Sequence, residues 1–285
     1  MFGRTRIETK TDDQLRAMRA AGLVVGRTLV MLGEHVRDGV TTGELDRLAE
    51  EFIRGEGMHP NFSEVPGYRH TLCVSVNDEV VHGIPGDRVL RDGDLVSIDC
   101  GCYVRTPQGE HWHGDAARTF VVGGRDAARP EDLMLSDATE ASMWAGIAAL
   151  RVGHRLYDVG AAVEDEVVAR GRLEEREYGI IEDYVGHGIG REMHMDPQVP
   201  NYRVRDRGPV VRSGTTVAIE PMVTLGTERT HTLADDWTVV TDDGSRASHW
   251  ENSVAVTDAG LWVLTEIDGG AARLVDLGVP YAPLD

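Results

Sequence analysis

The sequence predicts an α+β fold made of two similar halves around one shared sheet. Three observations carry that expectation. An order of helix, helix and strands runs through residues 12–124 and returns through 130–265. The turn-and-helix segment Gly153-His-Arg-Leu-Tyr-Asp-Val-Gly-Ala-Ala-Val163 echoes Gly39-Val-Thr-Thr-Gly-Glu-Leu-Asp-Arg-Leu-Ala49. No Pro/Gly-rich linker divides the halves, so residues 1–285 read as a single domain with a short C-terminal tail after about residue 265. Any two amphipathic helices would give the echo equally well, so by itself it decides nothing.

Each element has its own signal. Leu15, Met18, Val25, Leu29 and Leu32 recur at helical spacing over residues 12–36. Thr41-Thr-Gly-Glu44 is a capping box that opens a second helix, with Leu45, Leu48 and Phe52 facing inward. Strand-like runs follow at 71–76, 93–104 and 115–123, closed by Gly123-Gly124. In the second half a helix is expected from Pro130 to Leu150, with Met143, Ile147 and Leu150 on one stripe. Further strands are expected at 181–185, 215–223, 237–241 and 250–257.

Composition narrows the function. Apolar residues make up 41% and charged residues 27%, ordinary for a globular protein, and no apolar run approaches the ~18 residues of a membrane span. Residues 1–6 are basic, but no apolar stretch follows them, so a secretory signal is not expected and the cytoplasm is. Lys and Arg total 29 against 48 Asp and Glu, a net charge of −19. A surface so acidic repels phosphate backbones and anionic lipid, which argues against nucleic acid and membranes as partners. Cys73, Cys100 and Cys102 are too few for a disulfide framework. Strand alternation puts Cys100 and Cys102 on the face opposite Asp99, where buried structural thiols are expected.

Five residues stand out as carboxylates or imidazoles in apolar or glycine-rich surroundings: Asp99, Asp115, His187, Glu220 and Glu251. Each alone reads as a satisfied strand residue. Together, four carboxylates with too few neighbouring Lys or Arg to pair them call for a metal, because an unpaired buried charge costs several kcal/mol. Four oxygen donors and one imidazole suit Mn, Fe(II) or Co better than a thiolate-rich structural zinc site. Carboxylates can also bridge two ions.

The segments Val76-Asn-Asp-Glu-Val-Val-His82-Gly-Ile-Pro85, Gly186-His-Gly-Ile-Gly-Arg191 and Ile219-Glu-Pro-Met222, with the two aspartates, resemble methionine aminopeptidases. Met-Arg-Ala-Ala-Gly in the first helix and Thr-Gly-Glu-Leu-Asp in the second match as well, and the resemblance covers roughly residues 8–265. It implies the duplicated pita-bread fold, a pseudo-twofold curved antiparallel sheet with helices packed outside. It makes Asp99, Asp115, His187, Glu220 and Glu251 the ligands of two divalent ions (Co, Mn, Fe or Zn), with Asp115 and Glu251 bridging. His82 and His194 are implied to contact the scissile peptide, and Tyr68, Cys73, Met193 and Trp237 to line the methionine pocket. The implied reaction is removal of the initiator methionine from nascent proteins when the second residue is small, by a metal-bridging hydroxide. Glu220 would take the water's proton, His194 would stabilise the oxyanion and His82 would serve the leaving amine. A monomer is expected, and the chain's own start, Met1-Phe2, should be spared.

The sequence departs from the family in four places. Asp99 and Asp115 are farther apart than usual, with residues 105–111 looking like an enlarged hairpin turn. Glu251-Asn-Ser stands where Glu-His-Thr is common, Ala218 where threonine is, and Met193 where an aromatic is. Neither a zinc-finger-like N-terminal extension nor the type II insertion is seen, which implies type I. Two rival readings are an X-Pro aminopeptidase of the same fold and a non-catalytic peptide-binding homologue.

Overall fold

The computed structural model describes residues 7–284, so the expectations for the basic segment 1–6 and for Met1-Phe2 lie outside the described residues. The helices begin where their caps predict. Helix α1 (Asp12–His35) starts at Thr11, whose hydroxyl accepts from the Gln14 N–H while the Gln14 side chain accepts from Thr11 N–H. Helix α2 (Thr42–Gly55) repeats the device with Thr41 and Glu44. Such a cap is worth about 1 kcal/mol. In the second half, α3 (Pro130–Ala149) opens on a proline whose missing N–H is no loss at a helix start, and α4 (Asp158–Leu173) follows it.

Each helix pair covers one face of a sheet. In the first half, Leu95–Arg105 pairs antiparallel with His111–Val121 and, on its other edge, with Leu72–Val76. The outward side chains Val96, Ile98, Cys100, Cys102 and Ala116 pack with Val25, Leu29, Leu32 and Leu45 of α1 and α2 into one buried core. All three cysteines are buried free thiols, and Cys100 and Cys102 lie on this core face, opposite Asp99 as expected. In the second half, Thr216–Ile219 pairs with Asn252–Val256, flanked by Leu261–Val263 and by Gly186–Gly188. Val217, Ile219, Val254 and Val256 pack there against Met143, Ile147, Val159 and Val163 of α3 and α4.

Four expectations need correction. Residues 181–185 are not a strand; short strands Gly179–Ile180 and Gly186–Gly188 flank them. The runs 215–223 and 250–257 are each interrupted: Thr216–Ile219 stops before Glu220-Pro221 and resumes as Met222–Thr224, while Ala247–His249 and Asn252–Val256 bracket Trp250-Glu251. Proline has no N–H to give to a ladder, so the paired ribbon breaks there on both strands. The turn expected over 105–111 is shorter by one residue at each end. The ladder continues out to Arg105 opposite His111, leaving 106–110 to turn with Gly109 at φ +85. Finally, the residues after 265 are not a bare tail: helix α5 (Ala271–Asp276) buries Leu274, and Val279 joins the second core.

The two hairpins meet edge to edge. Glu251 N–H donates to the Ala117 carbonyl at 2.9 Å, and Ala117 N–H donates to that of Glu251 at 3.3 Å. Because Ala117 also pairs with Asp99, a row Asp99–Ala117–Glu251 crosses from the first half into the second.

Candidate metal centre

Strand geometry brings the first two carboxylates together. Asp115 lies opposite Gly101 and Asp99 opposite Ala117, so the aspartates are diagonal neighbours on one sheet face. Glycine at position 101 leaves room for them: a Cβ there would stand 2.8 Å from Asp115 Oδ1 and 2.5 Å from Asn61 Nδ2, so both side chains would have to move. Glu220 and Glu251 sit at the two breaks of the second ribbon, where the chain turns their side chains toward the aspartates. His187 is held between glycines for a steric reason. A Cβ at Gly186 would be 2.4 Å from the Ala218 carbonyl oxygen, and one at Gly188 2.3 Å from that of Asp196. The His187 ring accordingly reaches Glu220, Nε2 to Oε1, at 3.4 Å.

Potential ligand atoms fall into overlapping sets, each within 4.8 Å: Asp99, Asp115 and Glu251; His187, Glu220 and Glu251; and Asp115, His187 and His194. Asp115, His187 and Glu251 each belong to two sets, and of these only the two carboxylates have a second oxygen to offer a second ion. Asp99 Oδ1, Asp115 Oδ1 and Glu251 Oε1 are buried oxygens with no hydrogen-bond donor. No Lys or Arg lines the cavity among the described residues. Burial pushes the carboxyls of Asp99, Glu220 and Glu251 well above their ordinary range, with repulsion from Asp115 adding to each. Burial lifts Asp115 to about 7. The same burial lowers His187 to about 3, with His194 contributing, so its imidazole is neutral and able to ligate. Crowded carboxylates lacking any cation, beside a neutral imidazole, fit divalent metal.

The cavity around these residues encloses about 510 Å³ and is lined by all eleven side chains singled out in the sequence. Tyr68, Cys73, Met193 and Trp237 form an apolar wall, with the Tyr68 and Trp237 rings 4.9 Å apart. Cys73 pairs with Asp99 in register, which sets this wall directly beside the carboxylates. His194 stands at the rim with its ring 4.5 Å from that of His187. His82 lies opposite, edge-on to Tyr184 at 5.4 Å. Its backbone has φ +61, a conformation uncommon outside glycine, and the next N–H, of Gly83, is tied to Ser75 Oγ at 3.1 Å. Burial holds His82 down at about 4.

Sequence reasoning overlooked three contributors. Phe62 and Val65 complete the apolar wall from an irregular stretch with no periodicity to expose them. A cluster of apolar residues in a loop next to Tyr68 was the only available signal. His249 lies two residues before Glu251, and that period-2 spacing would have placed it on the same side of the chain. Its Nε2 is buried without a hydrogen-bond partner and lies 3.9 Å from Glu220 Oε2.

Known proteins share this arrangement of fold and sequence. The family model for metallopeptidase family M24 matches residues 16–258. Methionine aminopeptidase 1 of Mycobacterium tuberculosis is 48% identical over 264 residues, covering 92% of this chain and 96% of that one. The crystal structure of methionine aminopeptidase from Thermotoga maritima superposes with a TM-score of 0.84 at 37% identity, covering 92% of this chain and 100% of the other. A Xaa-Pro dipeptidase from Bacillus anthracis, 20% identical, has a TM-score of 0.66 over 90% of this chain and 61% of its own, a likeness of fold alone.

Proposed function

The chain belongs to metallopeptidase family M24 and, within it, to the methionine aminopeptidases, and on that footing we propose how its cavity removes an N-terminal methionine. The fold is the pita-bread fold and the activity depends on divalent metal. The single observation that carries the assignment of residues is the set of buried, donorless oxygens of Asp99, Asp115 and Glu251 beside an apolar wall. We assign Asp99, Asp115, His187, Glu220 and Glu251 as the residues that would hold two ions, with Asp115 and Glu251, the carboxylates that belong to two ligand sets each, the ones able to serve both. Mn, Fe(II) or Co suits this donor set best.

Bound metal supplies Lewis acidity and lowers the pKa of water toward neutrality. The chain's own residues do the rest. Tyr68, Cys73, Met193 and Trp237, with Phe62 and Val65, hold the methionine side chain and thereby place the first carbonyl over the carboxylates. Glu220 accepts the proton of the attacking water. His194 donates a hydrogen bond to the carbonyl oxygen as negative charge develops on it, an effect worth about 3 kcal/mol at comparable sites. His82, neutral and held in place by its backbone, supports the scissile amide and serves the leaving amine. A bulky second residue would push the carbonyl away, and a shift of ~1 Å can cost ~100-fold in rate.

We further read residues 12–124 and 130–265 as two halves of one domain acting as a monomer in the cytoplasm. The −19 charge supports peptide substrates over nucleic acid or membrane. No helix of the described residues is long and apolar enough to cross a membrane.

A peptide panel tests the reading. Metal-loaded protein should cleave Met-Ala-Ser and Met-Gly-Ser, spare Met-Phe-Ser and Met-Lys-Ser, and leave Ala-Pro-Ala intact. Norleucine should replace methionine at the first position, because the flexible thioether of Met193 adapts to it. Cleavage of Ala-Pro-Ala alone would favour the X-Pro reading, and failure on every peptide the non-catalytic one.

A further inference from the structure

Glu220 lies between two imidazoles. His187 Nε2 faces one carboxylate oxygen, Oε1, at 3.4 Å, and His249 Nε2 faces the other, Oε2, at 3.9 Å. The two histidines reach it from different strands, His187 from Gly186–Gly188 and His249 from the end of Ala247–His249. His249 is 1% exposed, and its Nε2 has no hydrogen-bond partner, although a buried polar nitrogen ordinarily finds one.

The backbone of His249 is fixed firmly. Its N–H is shared between Ser97 Oγ at 3.2 Å and Thr119 Oγ1 at 3.1 Å, and its carbonyl accepts from Thr119 Oγ1 at 2.9 Å. Both hydroxyls belong to the hairpin that carries Asp99 and Asp115. The strand pairing of His249 with Met222 ties it to the segment just past Glu220. The imidazole is therefore locked beside one oxygen of Glu220, and a shift of under 1 Å in a side chain brings the pair to hydrogen-bond distance.

We infer that His249 is a positioning residue for Glu220, donating Nε2–H to Oε2 and thereby fixing the orientation of that carboxylate. The inference rests on the aminopeptidase reading for what Glu220 does, and it adds a residue outside the proposed ligand set. With Oε2 engaged by His249, Oε1 stays free on the His187 side. A hydrogen bond to an ionised carboxylate is stronger than a neutral one. Groups that orient a ligand in this way typically cost 10–100-fold in metal affinity or activity when lost.

The experiment compares His249→Phe, which keeps a planar ring without a donor, with His249→Gln, which restores an N–H of similar reach. Titration calorimetry reads metal affinity, and steady-state kinetics on Met-Ala-Ser reads kcat and KM separately. His249→Phe should bind metal roughly 10-fold more weakly and lose about 10-fold or more in kcat with KM within twofold. His249→Gln should recover both to within about threefold. His249→Leu gives the same comparison if phenylalanine disturbs folding, as thermal melts would show. Wild-type metal affinity and kcat in the donorless variants, or equal loss in the glutamine variant, would overturn the inference. Wild-type protein inert on Met-Ala-Ser would instead overturn the aminopeptidase reading, with the calorimetric comparison still deciding the role of His249.

Discussion

Among single residues, the proposed mechanism divides side chains that hold charge in the ground state from those that meet it as it develops. Asp115 belongs to two ligand sets, and its Oδ1 has no protein donor. Asp115→Ala should therefore lose metal and activity together. His194 stands at the rim beside His187, and burial lowers its pKa as well. His194→Ala should keep its metal, shown by elemental analysis, while kcat falls about 100-fold or more and KM changes little. Loss of metal on that substitution would move His194 into the ligand set, which its closeness to Asp115 and His187 makes a real alternative. At this scale the sequence was informative wherever a polar group sat in an apolar setting, since burial of such a group demands a partner. For Phe62 and Val65 its signal was ambiguous, because apolar residues in a loop look the same whether they face a core or a substrate.

Among elements, the contrast between the two carboxylate-bearing ribbons is the main result. The first is an unbroken hairpin of two 11-residue strands. The second is broken at Pro221 and at Trp250-Glu251, and both glutamates occupy the breaks. Ser253 joins the ribbons: its hydroxyl accepts from Asp115 N–H at 3.1 Å and donates to the Asp115 carbonyl at 2.7 Å. The Glu-Asn-Ser variation thus keeps a hydroxyl at the place where one is needed. Asn252 meanwhile bonds Thr265 and Glu266, and Glu266 pairs with Arg118 of the first hairpin. Ser253→Ala leaves a buried N–H without its acceptor and should cost about 1–3 kcal/mol. A lowered denaturant midpoint at unchanged m would show it, and Ser253→Thr should restore most of the loss. Helices α1, α2 and α3 were legible to within a residue or two, the first two because caps and periodicity agreed, whereas the short uncapped α5 was missed. The broken strands were not, because apolar runs continue across the breaks while proline's missing donor acts only through its partner strand. The length of the first hairpin was also hidden, since polar residues such as Arg105 and His111 suit a turn as readily as a solvated ladder.

For the molecule as a whole, burial of four carboxylates couples metal, protons and stability. Asp115 is held up to about 7 by burial, and Asp99, Glu220 and Glu251 lie well above their ordinary range. In metal-free protein these groups keep protons that the unfolded chain, with carboxyls near about 4, has released. The native state then binds more protons than the unfolded state, so its stability falls as pH rises from about 4 through 7. Ligation requires the deprotonated forms, so metal affinity rises over the same window and loaded protein should not show the loss. Calorimetric melts with and without chelator at pH 5 and 7.5 check this; chelated protein that melts higher at pH 7.5 would contradict it. The row Asp99–Ala117–Glu251 also has a consequence in time. A ribosome makes the two aspartates early, whereas the row gains its third member only when residue 251 has emerged and its strand has found the first hairpin. Until then the growing chain carries two facing carboxylates without Glu251 beside them. On the ligand assignment proposed above, the peptidase is by this arrangement inert until its own chain is nearly complete.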